Sequence, residues 1–130
     1  MFEFLKKSKA TLTLSAESAV KNQSFPAQEF ILKEEKIEIG KNKSPFSEKF
    51  ISKIGSKITI ASNDLTKKIS INHSLLTWDM NTSTYTYQEQ SEKGSLVNGE
   101  PLEKGEETVL EDGSEILIHP FKFTLKYTPK

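Results

Sequence analysis

Cysteine and arginine are both absent from this chain of 130 residues. Without cysteine the chain can form neither a disulfide framework nor a thiolate zinc site. Without arginine, all 18 cationic side chains are lysines, and they balance 18 acidic side chains to a net charge of zero. Non-specific binding of nucleic acid requires a surplus of positive charge, so the neutral balance argues against nucleic acid as the partner.

Histidine and long apolar runs are also scarce. The two histidines, His73 and His119, have no partner at metal-ligand spacing, so we predict neither a metal site nor another cofactor. No nucleophile stands beside a recognisable base, which favours a binding protein over an enzyme. No segment approaches the roughly 18 apolar residues of a membrane span, and residues 1–9 lack the apolar run of a signal peptide. We therefore expect a cytoplasmic protein that does not contact a membrane.

The pattern that is present is a short-range alternation of apolar and polar residues. It recurs in about eleven segments, such as Lys57 to Ile60 and Phe121 to Tyr127. Turn residues separate these segments at intervals typical of all-β proteins. The pattern predicts an all-β sandwich of about eleven short, mostly antiparallel strands across residues 10–127. We treat residues 1–9 as an N-terminal extension and residues 128–130 as a C-terminal tail.

One segment departs from the alternation. Ser44 suits a helix N-cap and Pro45 the first helical position. Apolar residues then recur at helical spacing as far as Ile54, and Gly55 suits a helix end. These signals predict a short helical insertion near residues 45–54, which serves either as a lid over one end of the core or as a partner-binding surface.

Four motifs follow one another along the chain, namely Ile39-Gly40-Lys41, Ser70-Ile71-Asn72-His73, the segment from Ser91 to Gly99, and the segment from Leu110 to Ile116. Their order and spacing resemble the forkhead-associated (FHA) domain family. This resemblance covers about Leu12 to Tyr127 and implies a β-sandwich that binds phosphothreonine peptides. The function it implies is phosphorylation-dependent protein–protein interaction in signalling, with a threonine-phosphorylated protein as partner.

The resemblance assigns four residues to phosphopeptide binding, namely Lys41, Ser70, Asn72 and Lys93. A phosphate group requires fixed cations and hydrogen-bond donors at loops, which Lys41 and Ser70 can supply. The family has an arginine where this chain has Lys41. Lysine keeps the positive charge but lacks the planar, two-pronged geometry, so we expect weaker capture. The local sequence alone favours a solvated surface lysine at Lys41, and only the motif context makes the two interpretations equal. Ser70 could equally be a turn residue bonded to its own backbone.

Four further residues are assigned to the support of the loops, namely Gly40, His73, Gly94 and Asn98. In the family, the histidine ties the binding loops together and does not touch phosphate. Glycine at position 40 permits a close approach of another backbone segment. Asn98 followed by Gly99 is the strongest hairpin-turn signal in the chain, and we favour this interpretation over a ligand contact.

Three positions differ from the family pattern in ways that favour another function. Ile71 cannot add a polar contact to phosphate, and Lys93 replaces an asparagine that hydrogen-bonds the peptide backbone in the family. Glu92 places a negative charge where a small hydroxyl residue is common, and that charge repels phosphate. The alternative hypothesis is therefore a degenerate FHA domain that acts as a phosphate-independent scaffold or protein-interaction module.

Overall fold

The protein is a sandwich of two six-stranded β-sheets. The computed structural model describes residues 9–14, 28–41, 51–60, 69–118 and 121–128. The prediction of an all-β sandwich is confirmed. The strands in the described residues are β1 (Ala10–Leu14), β2 (Gln28–Leu32), β3 (Lys36–Lys41), β4 (Ile51–Ile54), β5 (Lys57–Ile60), β6 (Ser74–Asp79), β7 (Thr84–Glu89), β8 (Ser95–Val97), β9 (Glu100–Leu102), β10 (Glu107–Val109), β11 (Glu115–Ile118) and β12 (Phe121–Tyr127).

The first sheet has the strand order β2-β1-β12-β11-β8-β9, and the second has the order β10-β7-β6-β3-β5-β4. Neighbouring strands in the described residues pair antiparallel, with the exception of β3 and β5, which run parallel. The expected predominance of antiparallel pairing is therefore confirmed. Strand β3 lies between β6 and β5. This central position gives the end of β3, where Lys41 stands, a fixed location in the sheet.

Alternation along the strands places one face of each sheet in the core. In β12, Phe121, Phe123 and Leu125 are fully buried, whereas Lys122 and Thr124 between them are partly exposed. This is the consequence of the two-residue period of a strand, which points successive side chains to opposite faces. Each buried side chain of this size stabilises the fold by about 1.5–3 kcal/mol relative to leaving it in water.

The predicted helix near residues 45–54 is wrong for the part that the structure describes. Residues 45–50 lie outside the described residues, and Ile51–Ile54 form strand β4, which pairs antiparallel with β5. Gly55 has a φ of 59° and, together with Ser56, connects the two strands as a two-residue turn. A glycine at the first central position followed by serine is a hairpin signal, so Gly55 is a turn residue and not a helix end.

The two ends of the chain fall mostly outside the described residues. Of the predicted extension 1–9 and tail 128–130, the structure describes Lys9 and Thr128. The backbone N–H of Lys9 donates to the carbonyl of Leu32 at 2.7 Å, and the N–H of Thr128 donates to the carbonyl of Lys9 at 3.1 Å. Both residues therefore continue the ladder of the first sheet. A helix that could span a membrane does not occur in the described ranges.

Candidate functional site

Strand β3 ends against the segment of residues 69–73. The backbone N–H of Lys41 donates to the carbonyl of Ser70 at 3.0 Å, and the N–H of His73 donates to the carbonyl of Ile39 at 2.9 Å. These two bonds hold the first two sequence motifs side by side at one end of the second sheet. Lys41 and Ser70 are both partly exposed there.

The close contact between these motifs depends on the absence of a side chain at Gly40. A Cβ atom built on Gly40 would lie 1.7 Å from the carbonyl oxygen of Ile71 and 2.7 Å from its carbonyl carbon. Because both atoms belong to the backbone, no side-chain rotation could relieve such a contact. The loop that carries Ser70 can rest on β3 only because position 40 is glycine.

His73 is fully buried and connects its own loop with the segment between β7 and β8. Its Nδ1 atom accepts a hydrogen bond from the backbone N–H of Ser70 at 3.1 Å. Its Nε2 atom lies 3.1 Å from the carbonyl oxygen of Gly94 and 2.9 Å from Oγ of Ser95. Since Nδ1 accepts, the ring proton is assigned to Nε2, which donates toward Gly94 and Ser95. The backbone carbonyl of His73 also accepts the N–H of Gln90 at 2.9 Å.

A buried carboxyl group lies next to this ring. Glu89 is fully buried, and its Oε2 atom lies 3.3 Å from Nε2 of His73. The carboxyl also accepts the backbone N–H of Ser91 at 3.2 Å and the hydroxyl of Tyr87 at 3.4 Å. Burial raises the pKa of Glu89. We did not predict a role for Glu89 from the sequence, although its alternation with Tyr85 and Tyr87 along β7 indicates a position in the core.

Burial lowers the pKa of the His73 ring from 6.5 to about 4. Between these two values the unfolded chain takes up a proton that the folded ring does not. The stability that His73 contributes is therefore complete above pH 6.5 and is lost as the pH falls toward 4. At about 1.4 kcal/mol per pKa unit the loss approaches 3 kcal/mol. Glu89, with its raised pKa, becomes protonated more readily in the folded protein and offsets part of the loss.

We expect an NMR titration of the His73 ring nitrogens to show an apparent pKa of about 4. The second histidine of the chain, His119, would give an overlapping signal, so a His119→Asn variant is the appropriate sample. At neutral pH the ring should show the neutral tautomer with the proton on Nε2. A ring that titrates near 6.5 would contradict both the burial and the hydrogen-bond assignment.

The hydroxyl of Ser70 meets the turn that carries the third motif. Its Oγ atom lies 2.6 Å from Oγ of Ser91, and Ser91 Oγ accepts the backbone N–H of Lys93 at 3.0 Å. Ser91 is buried, whereas the side chain of Lys93 is exposed. Through these bonds Lys41, Ser70 and the turn at Lys93 lie together at one end of the sandwich. This arrangement could hold an anion with a lysine charge and a hydroxyl donor.

Asn72 and Asn98 lie apart from this arrangement. Asn72 is exposed on the flank of the loop, in a shallow pocket of about 520 Å³ that Gln88 and Lys104 also line. Asn98 lies at the opposite end of β8 from the site, with a φ of 53°, and its Oδ1 atom accepts the N–H of Glu115 at 2.8 Å. Asn98 therefore fastens its hairpin to β11 and has no contact with the loops of the site.

Two positions that depart from the family pattern, Ile71 and Glu92, lie on the surface at the end of the sandwich that carries Lys41 and Ser70. Ile71 is 39% exposed. The side chain of Glu92 is 86% exposed, and its carboxylate lies 3.8 Å from Nζ of Lys104. An exposed pair of this kind contributes little to stability, but the lysine partly compensates the negative charge beside the site. A group of three or more side chains suited to a metal ion is absent from the described residues.

The family model of the FHA domain matches residues 37–119. This range includes all four motifs and leaves out strands β1, β2 and β12. A search of curated proteins found no match.

Solved structures of FHA domains share the fold. The FHA domain of CT664 from Chlamydia trachomatis is 17% identical with a TM-score of 0.62, and the match covers 94% of this chain and 100% of that one. EmbR from Mycobacterium tuberculosis, in complex with a low-affinity phosphopeptide, is 17% identical with a TM-score of 0.61, over 100% of this chain and 27% of that one. A third domain, from an analysis of phosphothreonine-dependent FHA domain interactions, is 18% identical with a TM-score of 0.59, over 95% of this chain and 100% of that one. These likenesses establish the fold.

Proposed function

Because this chain belongs to the FHA domain family, we propose that it binds phosphothreonine peptides and mediates phosphorylation-dependent protein–protein interaction. The partner is a threonine-phosphorylated protein. The proposal includes a cytoplasmic location, because such partners arise where ATP-dependent kinases act.

The observation that carries the proposal is the junction between Lys41 and Ser70. The backbone bond of 3.0 Å between them places a cationic side chain at the end of β3 beside a hydroxyl on the neighbouring loop, both at the surface. A phosphate group carries up to two negative charges and accepts hydrogen bonds at its oxygens. Hydrogen bonds to a charged group contribute about 1.5–3 kcal/mol each, so two such contacts distinguish a phosphorylated from an unphosphorylated threonine.

Two of the similar solved structures support the same chemistry. EmbR was solved with a phosphopeptide, and another domain was described in terms of phosphothreonine-dependent interactions. Lys93 lies on the turn beside the proposed phosphate position and Asn72 on the flank of the Ser70 loop, and both side chains are exposed to a bound peptide. We propose that they contribute to binding beside Lys41 and Ser70, and that Gly40, His73 and Gly94 hold the loops in place.

A second candidate function is a phosphate-independent interaction or scaffold role. It is favoured by Ile71, which offers an apolar surface where a polar contact would be expected, and by the exposed carboxylate of Glu92. A lysine in place of the family's arginine points the same way, because it forms fewer directed bonds to phosphate. The two functions predict opposite responses to removal of phosphate from the partner.

The experiment that separates them is calorimetric titration with matched phosphothreonine and threonine peptides, selected first from a degenerate phosphothreonine library. We expect the phosphorylated peptide to bind at least about tenfold more tightly, because a single charge-assisted contact exceeds 1.4 kcal/mol. Equal affinity for the two peptides, or no library selection at all, would reject the first function and favour the second.

A further inference from the structure

Ser91 lies directly behind the hydroxyl of Ser70. The residue is 2% exposed, and its Oγ atom lies 2.6 Å from Oγ of Ser70. The same Oγ atom accepts the backbone N–H of Lys93 at 3.0 Å. Within the part of the chain that the structure describes, these two contacts are the hydrogen bonds of the Ser91 hydroxyl. Ser70, by contrast, is partly exposed to solvent.

Only one hydrogen can lie between the two hydroxyl oxygens, and burial decides which residue donates it. If Ser70 donated, the hydrogen of the buried Ser91 hydroxyl would have no acceptor among the described residues. An unsatisfied buried donor costs about 1–3 kcal/mol. If Ser91 donates, its hydroxyl gives one hydrogen bond to Ser70 and accepts one from the N–H of Lys93. The buried hydroxyl is then satisfied both as donor and as acceptor. The hydrogen of Ser70 then points outward, where water or a ligand accepts it at no cost.

The position of Ser91 is itself fixed by the network below it. Its backbone N–H donates to Oε2 of the buried Glu89 at 3.2 Å, and its carbonyl accepts the N–H of Gly94 at 3.3 Å. Glu89 is next to His73, whose ring holds the carbonyl of Gly94. Hydrogen bonds to both its N–H and its carbonyl thus fix the backbone of Ser91, and this orients its hydroxyl toward Ser70.

We propose that Ser91 is a positioning residue that directs the hydroxyl hydrogen of Ser70 outward, toward an oxyanion. Its effect depends on the proposed phosphothreonine site. The three groups form a relay of donors, from the N–H of Lys93 to Ser91, from Ser91 to Ser70, and from Ser70 to the ligand. Hydrogen bonds in such a chain polarise one another and strengthen the last donor. Because of the relay, the Ser70 hydroxyl presents its hydrogen to the ligand. An ionised phosphate oxygen is a suitable acceptor for that hydrogen.

The direction of the relay can be measured in the unaltered protein by neutron diffraction from deuterated crystals. We expect the deuterium of Ser91 on the line between the two Oγ atoms, and the deuterium of Ser70 directed to solvent. The reverse arrangement, with the Ser70 deuterium pointing at Ser91, would overturn the proposal. This experiment needs no ligand and no variant.

The effect on binding can be measured by a double-mutant cycle with the phosphothreonine peptide selected from the library. We expect Ser91→Ala to weaken binding by about three- to tenfold, the range of one hydrogen bond. In a Ser70→Ala background the same change should have almost no further effect, because the relay then has no terminal donor. An equal loss in both backgrounds would show that Ser91 only supports the loop, and would overturn the proposal.

Ser114 offers a matched control. It is 3% exposed, and its Oγ atom accepts the backbone N–H of Glu111 at 2.8 Å, outside the loops of the site. Ser114→Ala removes a buried hydroxyl of the same kind, and we expect it to leave the peptide affinity unchanged. The two proposals fail in different ways. Equal binding of phosphorylated and unphosphorylated peptide rejects the phosphothreonine site, whereas a phosphate-dependent site with uncoupled Ser70 and Ser91 rejects the relay alone.

Discussion

Lys41→Ala is expected to weaken phosphothreonine-peptide binding by about 10- to 150-fold, which corresponds to the loss of one charge-assisted contact. Lys41 is the residue at which the backbone of β3 meets the carbonyl of Ser70, so its side chain starts from the edge of the proposed phosphate position. Ser70→Ala removes the hydroxyl donor, and we expect a loss in the same range. Calorimetry with the library-selected peptide measures both effects.

Lys41→Arg tests the same assignment in the opposite direction. Arginine presents a planar fork of donors that matches the oxygens of a phosphate, whereas lysine presents a point charge. We expect this variant to tighten phosphopeptide binding by several-fold to tenfold and to leave the affinity for the unphosphorylated peptide unchanged.

Lys36 supplies the control for charge alone. It is an exposed lysine at the start of β3, five residues from Lys41 and hence about 16 Å away along the strand. Lys36→Ala removes the same charge from the protein but should change the affinity by less than about twofold, because screening weakens interactions over such distances. If Lys36→Ala and Lys41→Ala weaken binding equally, the phosphate position has been assigned wrongly.

Gly40→Ala is expected to destabilise the fold by about 3 kcal/mol or more. The added Cβ atom would lie 1.7 Å from the carbonyl oxygen of Ile71, so the loop must move away from β3. That movement breaks the bonds from Lys41 N–H to Ser70 and from His73 N–H to Ile39. Two lost hydrogen bonds cost about 0.5–1.5 kcal/mol each, and overpacking costs a further 1–3 kcal/mol.

Urea denaturation of Gly40→Ala and Gly55→Ala separates steric overlap from backbone strain. Gly55 has a φ of 59°, and a Cβ atom there would have nothing within 4 Å. Alanine at position 55 should therefore cost about 1–2 kcal/mol through its left-handed conformation alone. Similar stabilities for the two variants would show that the loop yields easily at Gly40. Where Gly40→Ala remains folded, we expect it to lose phosphopeptide binding, because Ser70 is displaced.

Much of the fold can be predicted from the sequence because the period of a strand is local. Alternation along Phe121, Phe123 and Leu125 assigns these side chains to the core without knowledge of any partner strand. The pair Asn98-Gly99 predicts its hairpin in the same way, since both residues tolerate a positive φ, and the structure has values of 53° and 83° there. The motif order also predicts that Lys41 and Ser70 belong to the same site.

The segment that ends at Ile54 shows where local information is insufficient. Apolar residues at helical spacing and a following glycine fit a helix, and the same residues fit a strand with a Gly-Ser turn. The pairing of Ile51 with Ile60 decides in favour of the strand, because it supplies backbone hydrogen bonds between two segments. A short helix has little stability of its own, so a helix over these residues would have had to gain it by burying the same apolar side chains.

The sequence by itself determined the sandwich, the faces of its strands and the motifs in which Lys41, Ser70 and His73 stand. Only the tertiary structure decided which hydrogen bonds those residues form. His73 and Gly94 are 21 residues apart, as are Ser70 and Ser91, and hydrogen bonds join both pairs. The direction of a hydroxyl hydrogen depends on which oxygen is buried and which acceptors surround it, and these are properties of packed loops from three separate parts of the chain.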